Sequence, residues 1–158
     1  MIIGIYTRIF SNDKSQVLEN QLRPLREYAR AHGWEVYQEY VESAPAADLI
    51  RSSTGRQLLD DAGKHRFGLV LIPGTLLAFT SVSDLAITLE RLRALSVGLR
   101  SCTEPWLDTT SPHSNVLYHL TATYAQLERR VLREGLKTGI DGERKQSPSS
   151  GRPSVWTR

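Results

Sequence analysis

The sequence predicts an α/β fold: three layers, with a mostly parallel sheet of four or five strands, flanking helices, and one long helix towards the C-terminal end. Three observations lead there. Short apolar runs alternate with segments of helical spacing in the order βαβαβαβ, the pattern of right-handed crossovers between parallel strands. Two of these runs are apolar almost throughout rather than alternating, as strands buried on both faces are. The last helical stretch, about 112–138, keeps its spacing far longer than the others.

Ile2, Ile3, Ile5 and Ile9 open the chain as a first strand. From Ser15 the spacing turns helical, with Leu18, Leu22, Leu25, Tyr28, Ala29 and His32 on one face and Gly33 where a C-cap belongs. Pro24, inside this helix, should kink it or shift its start. Residues 34–42 (WEVYQEYVE) read as a second strand, 43–51 with Pro45 as a loop, 54–65 as a short helix and 67–72 (FGLVLI) as a third strand. Pro73-Gly74 ends that strand. A helix over about 83–95 follows, carrying Leu85, Leu89, Leu92 and Leu95, and 97–102 is a fourth strand. Residues 109–114 then offer N-cap side chains, with Pro112 in the first turn of the long helix.

Within the long helix Leu117, Leu120, Tyr124, Leu127 and Val131 are spaced 3, 4, 3, 4. This is the a/d spacing of a helix packed on another helix, so the five are candidate dimerisation residues. Packing on the chain's own sheet remains an alternative for the same spacing. From Asp141 the residues are polar, Gly, Ser and Pro. Residues 1–140 are therefore expected to form the domain, and 141–158 a flexible basic tail.

The composition sets further bounds. With 158 residues, 40% of them hydrophobic, the chain can build one core of ordinary size, which excludes collagen, a coiled-coil rod and wholesale disorder. The lone Cys102 cannot form an internal disulfide, and no Cys/His spacing resembles a zinc site. A reducing, cytoplasmic setting and no structural metal are expected, with Cys102 a core thiol on its strand. The four histidines, His32, His65, His113 and His119, sit alone on separate elements and suggest neither a base nor a ligand. The N-terminus lacks a basic leader region, and no apolar run approaches the ~20 residues of a membrane span, so neither export nor insertion is expected. Charge is uneven: residues 1–128 hold 12 Lys+Arg against 14 Asp+Glu, and 129–158 hold 8 against 3. Such a basic end either attracts a phosphate backbone or is simply a solvated tail.

Several motifs, taken in order, resemble the serine site-specific recombinases of the resolvase/invertase type. They are Tyr6-Thr7-Arg8 closing the first strand, Glu19-Asn20-Gln21-Leu22 on the first helix, and Leu58-Leu59-Asp60-Asp61-Ala62 before an apolar strand. Gly98-Leu99-Arg100-Ser101-Cys102-Thr103-Glu104 with Asp108-Thr109-Thr110, Glu128-Arg129-Arg130, and Gly151-Arg152-Pro153-Ser154 complete the set, which covers about residues 2–155. The resemblance implies a resolvase-like catalytic domain that acts on DNA without metal or nucleotide cofactor. In that family a Ser hydroxyl attacks a DNA phosphate, forming a 5′-phosphoseryl link, while clustered Arg side chains stabilise the phosphate charge through bidentate contacts.

Residue by residue the likeness is partial. The family's opening reads aromatic, small, Arg, aliphatic, Ser, whereas Tyr6-Thr7-Arg8-Ile9 is followed here by Phe10, which has no oxygen to attack with. Ser11 is next door and substitutes only if the loop shifts by one residue, because neighbouring strand residues point to opposite sides. The loop 73–80, where the family carries an Asp-Arg pair and a further Arg, has no charge, and no Arg stands between Arg66 and Arg91. Arg129 matches a family Arg, but the position six residues later is Gly135. The chain stops where the family's helix-turn-helix domain would begin.

The candidate site residues therefore each carry two readings. Arg8 binds a phosphate or pairs with Glu42; Arg51 and Arg56 face a phosphate or are solvated loop charges; Gln21 faces the site or the surface; Arg129 projects from the long helix towards the sheet edge. Phe10, Leu76, Leu77 and Phe79 would fill the phosphate pocket with apolar volume, which disfavours a dianion, or would form a new protein-contact patch. Losing a nucleophile and several cations together should remove nearly all of the rate. The expectation is a degenerate recombinase domain. Its expected partners are DNA and either a second copy or an active recombinase subunit.

Overall fold

The structure is a computed structural model describing residues 1–10, 14–43 and 47–146, with side chains over 1–10, 16–43 and 47–136. Four strands, β1 (Ile2–Arg8), β2 (Glu35–Glu42), β3 (Leu69–Ile72) and β4 (Gly98–Ser101), form one wholly parallel sheet in the order β2-β1-β3-β4. Helices α1 (Lys14–Ala31), α2 (Ser53–Gly63), α3 (Val82–Ala94) and α4 (Ser114–Gln146) complete the fold, with a short 3₁₀ turn at Thr75–Leu77.

Side chains alternate across the sheet and build a core on each face. Ile3, Ile5, Leu69 and Leu71 point to one side, where they bury Leu22, Leu25 and Ala29 of α1. Tyr6, Val70, Ile72 and Leu99 point to the other, against Leu58 of α2, Leu89 of α3 and Leu117 of α4. Loss of water from this apolar area, roughly 25 cal/mol per Å2, is what holds the layers together. An ion pair adds a staple at the sheet edge: Arg26 of α1 donates to Glu39 of β2 through Nε at 2.6 Å and Nη2 at 2.8 Å. No helix among the described residues is long and apolar enough to cross a membrane.

The helix starts follow from capping. Ser52 Oγ accepts the Gly55 N–H to cap α2, and Ser81 Oγ accepts the Asp84 N–H to cap α3. α1 runs unbroken through Pro24 rather than starting after it. The ring lacks the N–H that would bond the Asn20 carbonyl, and its exposed position leaves room for the clash to relax. His32 is not isolated, since its ring stacks on Tyr28 at 4.3 Å and lies 4.6 Å from Trp34.

α4 departs from expectation at both ends. Pro112 lies before its first turn, and the helix continues to Gln146, past both the anticipated end near residue 138 and the anticipated tail boundary at 141. Glu143, Arg144 and Lys145 are good helix formers, which accounts for the extension. α4 runs antiparallel to α3: the Arg93 guanidinium lies over the Tyr118 ring at 4.5 Å, and Arg129 Nη1 donates to Ser83 Oγ at 3.3 Å. Beyond Arg129 it overshoots the start of α3 by about 25 Å at 1.5 Å per residue.

Candidate functional site

A parallel sheet brings the carboxyl ends of all its strands to one edge, where open α/β folds bind their ligands. Here that edge gathers Thr7 and Arg8 from β1, Glu42 from β2, Pro73-Gly74 after β3 and the 102–104 turn after β4. Thr7 faces α1, where its hydroxyl donates to Gln21 Oε1. Gln21 is thus turned to the strand ends rather than to open solvent. Beside it lies a cleft of about 580 Å3 between Asn20, Gln21 and Pro24 on one side and Gly74, Leu77 and Glu104 on the other. The turn opposite is pinned by a carboxylate. Glu104 accepts from the Thr75 N–H at 2.7 Å and the Thr75 hydroxyl at 3.0 Å.

Arg8 points to the opposite face and is fully buried. Its Nη2 donates to the Tyr6 hydroxyl oxygen at 3.1 Å, while Nε and Nη1 have no hydrogen-bond partner among the described residues. Strand register sets it against Glu42, also buried. The surroundings respond to this charge. Burial raises the Tyr6 hydroxyl above its ordinary pKa, opposed by the Arg8 hydrogen bond and charge. Burial likewise raises the Asp84 carboxyl, opposed by N–H groups of Thr80 and Leu49 and by Arg8. Asp84 is a junction: it accepts from Leu49 N at 3.0 Å and Thr80 N at 2.9 Å, tying the loops after β2 and β3 to α3.

The remaining sequence candidates do not converge on the cleft. Arg51 and Arg56 are exposed on the loop and first turn of α2, and Arg129 is occupied at Ser83. Among the described residues that line the cleft none is Lys or Arg; the charged one is Glu104. Ser11 lies outside the described residues. The anticipated apolar plug is not assembled either. Phe10 is 56% exposed and Leu76 88%, while Phe79 is drawn into the core beside α3. Cys102 is half-buried in the cleft wall just past β4 rather than in the core, because the strand ends at Ser101; burial pushes its thiol up.

The proposed helix seam divides. Leu117 turns into the protein's own core at 8% exposure, so it is not available to a partner. Leu120, Tyr124, Leu127 and Val131 form an exposed stripe that 100° per residue sets off to one side of Leu117, by less than a quarter-turn. Leu120 and Tyr124 also line a second groove of about 390 Å3 with Leu76, Phe79, Trp106 and Glu128. Sequence reasoning missed the roles of Asp84, of Glu104, which entered only as part of a motif, and of Trp106. The first two had a signal, since Ser81-x-x-Asp84 and Ser101-x-x-Glu104 are both spaced as a hydroxyl cap followed by a carboxylate.

Comparison with known proteins agrees with this architecture. The family described as "Resolvase, N terminal domain" matches residues 3–147. A resolvase of Clostridium perfringens is 25% identical over 157 residues, spanning 98% of this chain and 77% of that protein. A probable DNA-invertase of Sinorhizobium fredii is 30% identical over 157 residues, 99% of this chain and 47% of that one. Among solved structures, a resolvase family site-specific recombinase from Streptococcus pneumoniae superposes with a TM-score of 0.75 at 16% identity, covering 92% of this chain and 99% of that one. The N-terminal catalytic domain of TP901-1 integrase gives 0.71 at 21%, covering 83% and 98%. The chain belongs to the resolvase N-terminal domain family and carries the catalytic-domain fold of the serine recombinases.

Proposed function

We propose that this domain serves site-specific DNA recombination as an associating subunit that does not itself cut DNA. One observation carries the reading: the cleft at the strand ends has no cation among its described lining residues, and Arg8, the family-matched Arg nearest to it in sequence, is buried on the other face of the sheet. Phosphoryl transfer without metal needs several guanidiniums on one phosphate together with an oxygen nucleophile. Phe10 stands at the family's nucleophile position, and the loop 73–80, where the family carries its Asp-Arg pair, has no charged residue. A carboxylate at Glu104 adds repulsion for a phosphate rather than attraction.

The exposed stripe Leu120, Tyr124, Leu127 and Val131 favours association through α4, with a second copy or with an active recombinase subunit. DNA is the expected common partner, met through the basic residues of 129–158, and the work belongs to the cytoplasm.

The test is cleavage of supercoiled plasmid carrying the flanking genomic DNA, with wild type, Ser11→Ala and Phe10→Ser run in parallel and products probed for covalent protein. The expected result is no protein–DNA adduct from any of the three. An adduct formed by wild type and abolished by Ser11→Ala would make Ser11 the nucleophile and overturn the reading. An adduct gained by Phe10→Ser alone would show that the remaining cations suffice.

A further inference from the structure

Arg8 raises a question of energy. Its guanidinium is fully buried, Nη2 reaches the Tyr6 hydroxyl, and Nε and Nη1 have no hydrogen-bond partner among the described residues. Glu42, its neighbour in register, is buried with it. A buried ion whose donors are incompletely satisfied is costly, and an opened structure would hydrate them. The cover over Arg8 is therefore held shut by contacts made elsewhere.

Asp84 supplies such a fastening. It stands in the first turn of α3, is 1% exposed, and accepts the Leu49 N–H through Oδ1 and the Thr80 N–H through Oδ2. One carboxylate thus holds both the loop after β2 and the loop after β3. The Thr80 hydroxyl adds to the junction, 2.6 Å from Asp48 Oδ1 and 3.2 Å from Asp84 Oδ2. Among the described residues, every hydrogen bond between the two loops runs through Asp84 or the Asp48–Thr80 pair. Arg8 lies within electrostatic reach of the junction: its charge opposes the rise of the Asp84 pKa, and Glu42 and Asp84 both push the Tyr6 hydroxyl up.

We propose that Asp84 is the pin of a two-loop clasp that shields Arg8 from solvent, and that release of Leu49 and Thr80 bares the guanidinium. The shortage of cations at the strand ends is then a property of the closed clasp. This holds whether or not the domain cuts DNA, because baring Arg8 returns one guanidinium and no nucleophile. The residue type matters. A carboxylate accepts from two backbone N–H groups at once, one on each oxygen, whereas a carboxamide of the same shape has a donor at one end. Asp84→Asn therefore unfastens one loop without leaving a cavity, and it removes the negative charge near Arg8.

The experiment follows phenylglyoxal modification of each arginine in the full chain by peptide mass spectrometry, beside amide hydrogen exchange. In wild type, Arg8 should react at least about tenfold more slowly than the exposed Arg51 and Arg56. In Asp84→Asn its rate should rise about tenfold, with faster exchange at Leu49 and Thr80 while Ile5 and Leu71 of the sheet stay protected. Ser81→Ala is the control. It removes the cap on the Asp84 N–H and weakens the start of α3 but leaves both loop bonds in place, so Arg8 should stay shielded. An Arg8 that reacts in wild type as fast as Arg51 would overturn the proposal. So would an Arg8 that stays shielded in Asp84→Asn, or one that Ser81→Ala bares equally, which would mark general loosening of the helix start. Should Asp84→Asn fail to fold, Thr80→Val takes its place: loss of the hydroxyl should raise the Arg8 rate about threefold, and an unchanged rate would count against the clasp.

Discussion

At Gly55 a Cβ would stand 1.8 Å from the Leu49 carbonyl oxygen and 2.7 Å from the Ser52 hydroxyl that caps α2. The obstacle is backbone and cannot swing away, so the loop before α2 and the helix itself must separate to admit a methyl group. Gly55→Ala should cost about 3 kcal/mol, at the upper end for overpacking, as a shift of the urea midpoint. Tyr40 offers a second test. Its hydroxyl donates to Asp61 Oδ2 at 2.5 Å, and burial together with that bond raises its pKa well above the ordinary 10. Tyr6 is raised too, chiefly by burial. A group whose folded pKa is raised stabilises fully below its unfolded value and loses that contribution as pH climbs towards the folded one. Wild-type stability should therefore fall above about pH 10, by up to about 1.4 kcal/mol per pH unit for each tyrosine. Tyr40→Phe should reduce that slope by about half in urea titrations across this range. Neither residue was singled out in the sequence. Gly55's close approach depends on how the turn at 49–52 folds back on its own helix, and Tyr40's partner comes from α2, neither of which spacing encodes.

At the scale of elements, the four strands, the helices between them and the parallel order were legible because continuous apolar runs and helical spacing report burial directly. The run 67–72 led to a buried strand, although β3 proper begins at Leu69. The far end of α4 was not legible. The polar, Gly, Ser and Pro residues from Asp141 argued for a tail, yet the charged helix formers at 143–145 carry the helix to Gln146. The division of the 3, 4, 3, 4 stripe was also hidden, since spacing places residues on a face without saying which body covers it. Gly135 tests how the overhang is held. A Cβ there meets nothing within 4 Å, so Gly135→Ala removes only the conformational freedom of glycine, worth about 1 kcal/mol of local helix stability. Far-UV circular dichroism should show increased helicity, while the global urea midpoint stays in place because this segment packs on nothing in its own domain.

For the whole molecule, the catalytic-domain fold of the serine recombinases is kept around a strand-end cleft that has no Lys or Arg among its described lining residues. The two are separable because they draw on different residues. Ile3, Ile5, Leu69, Leu71, Val70 and Ile72 hold the sheet between its helices whether or not the edge carries cations. The absence of an Asp-Arg pair in 73–80 was visible in the sequence, but the burial of Arg8 and the capture of Arg129 by Ser83 needed coordinates. The order β2-β1-β3-β4 also has a consequence in time. Ile3 pairs with Val36 on one side and Leu69 on the other, so the strand made first cannot be completed on both edges until nearly half the chain has left the ribosome. Leu117 and Ala125, which close the face over α3, emerge later still. Through most of its synthesis the nascent chain therefore exposes an unpaired strand edge and an uncovered apolar face, and it needs either rapid closure by α4 or a chaperone's shelter to avoid aggregation.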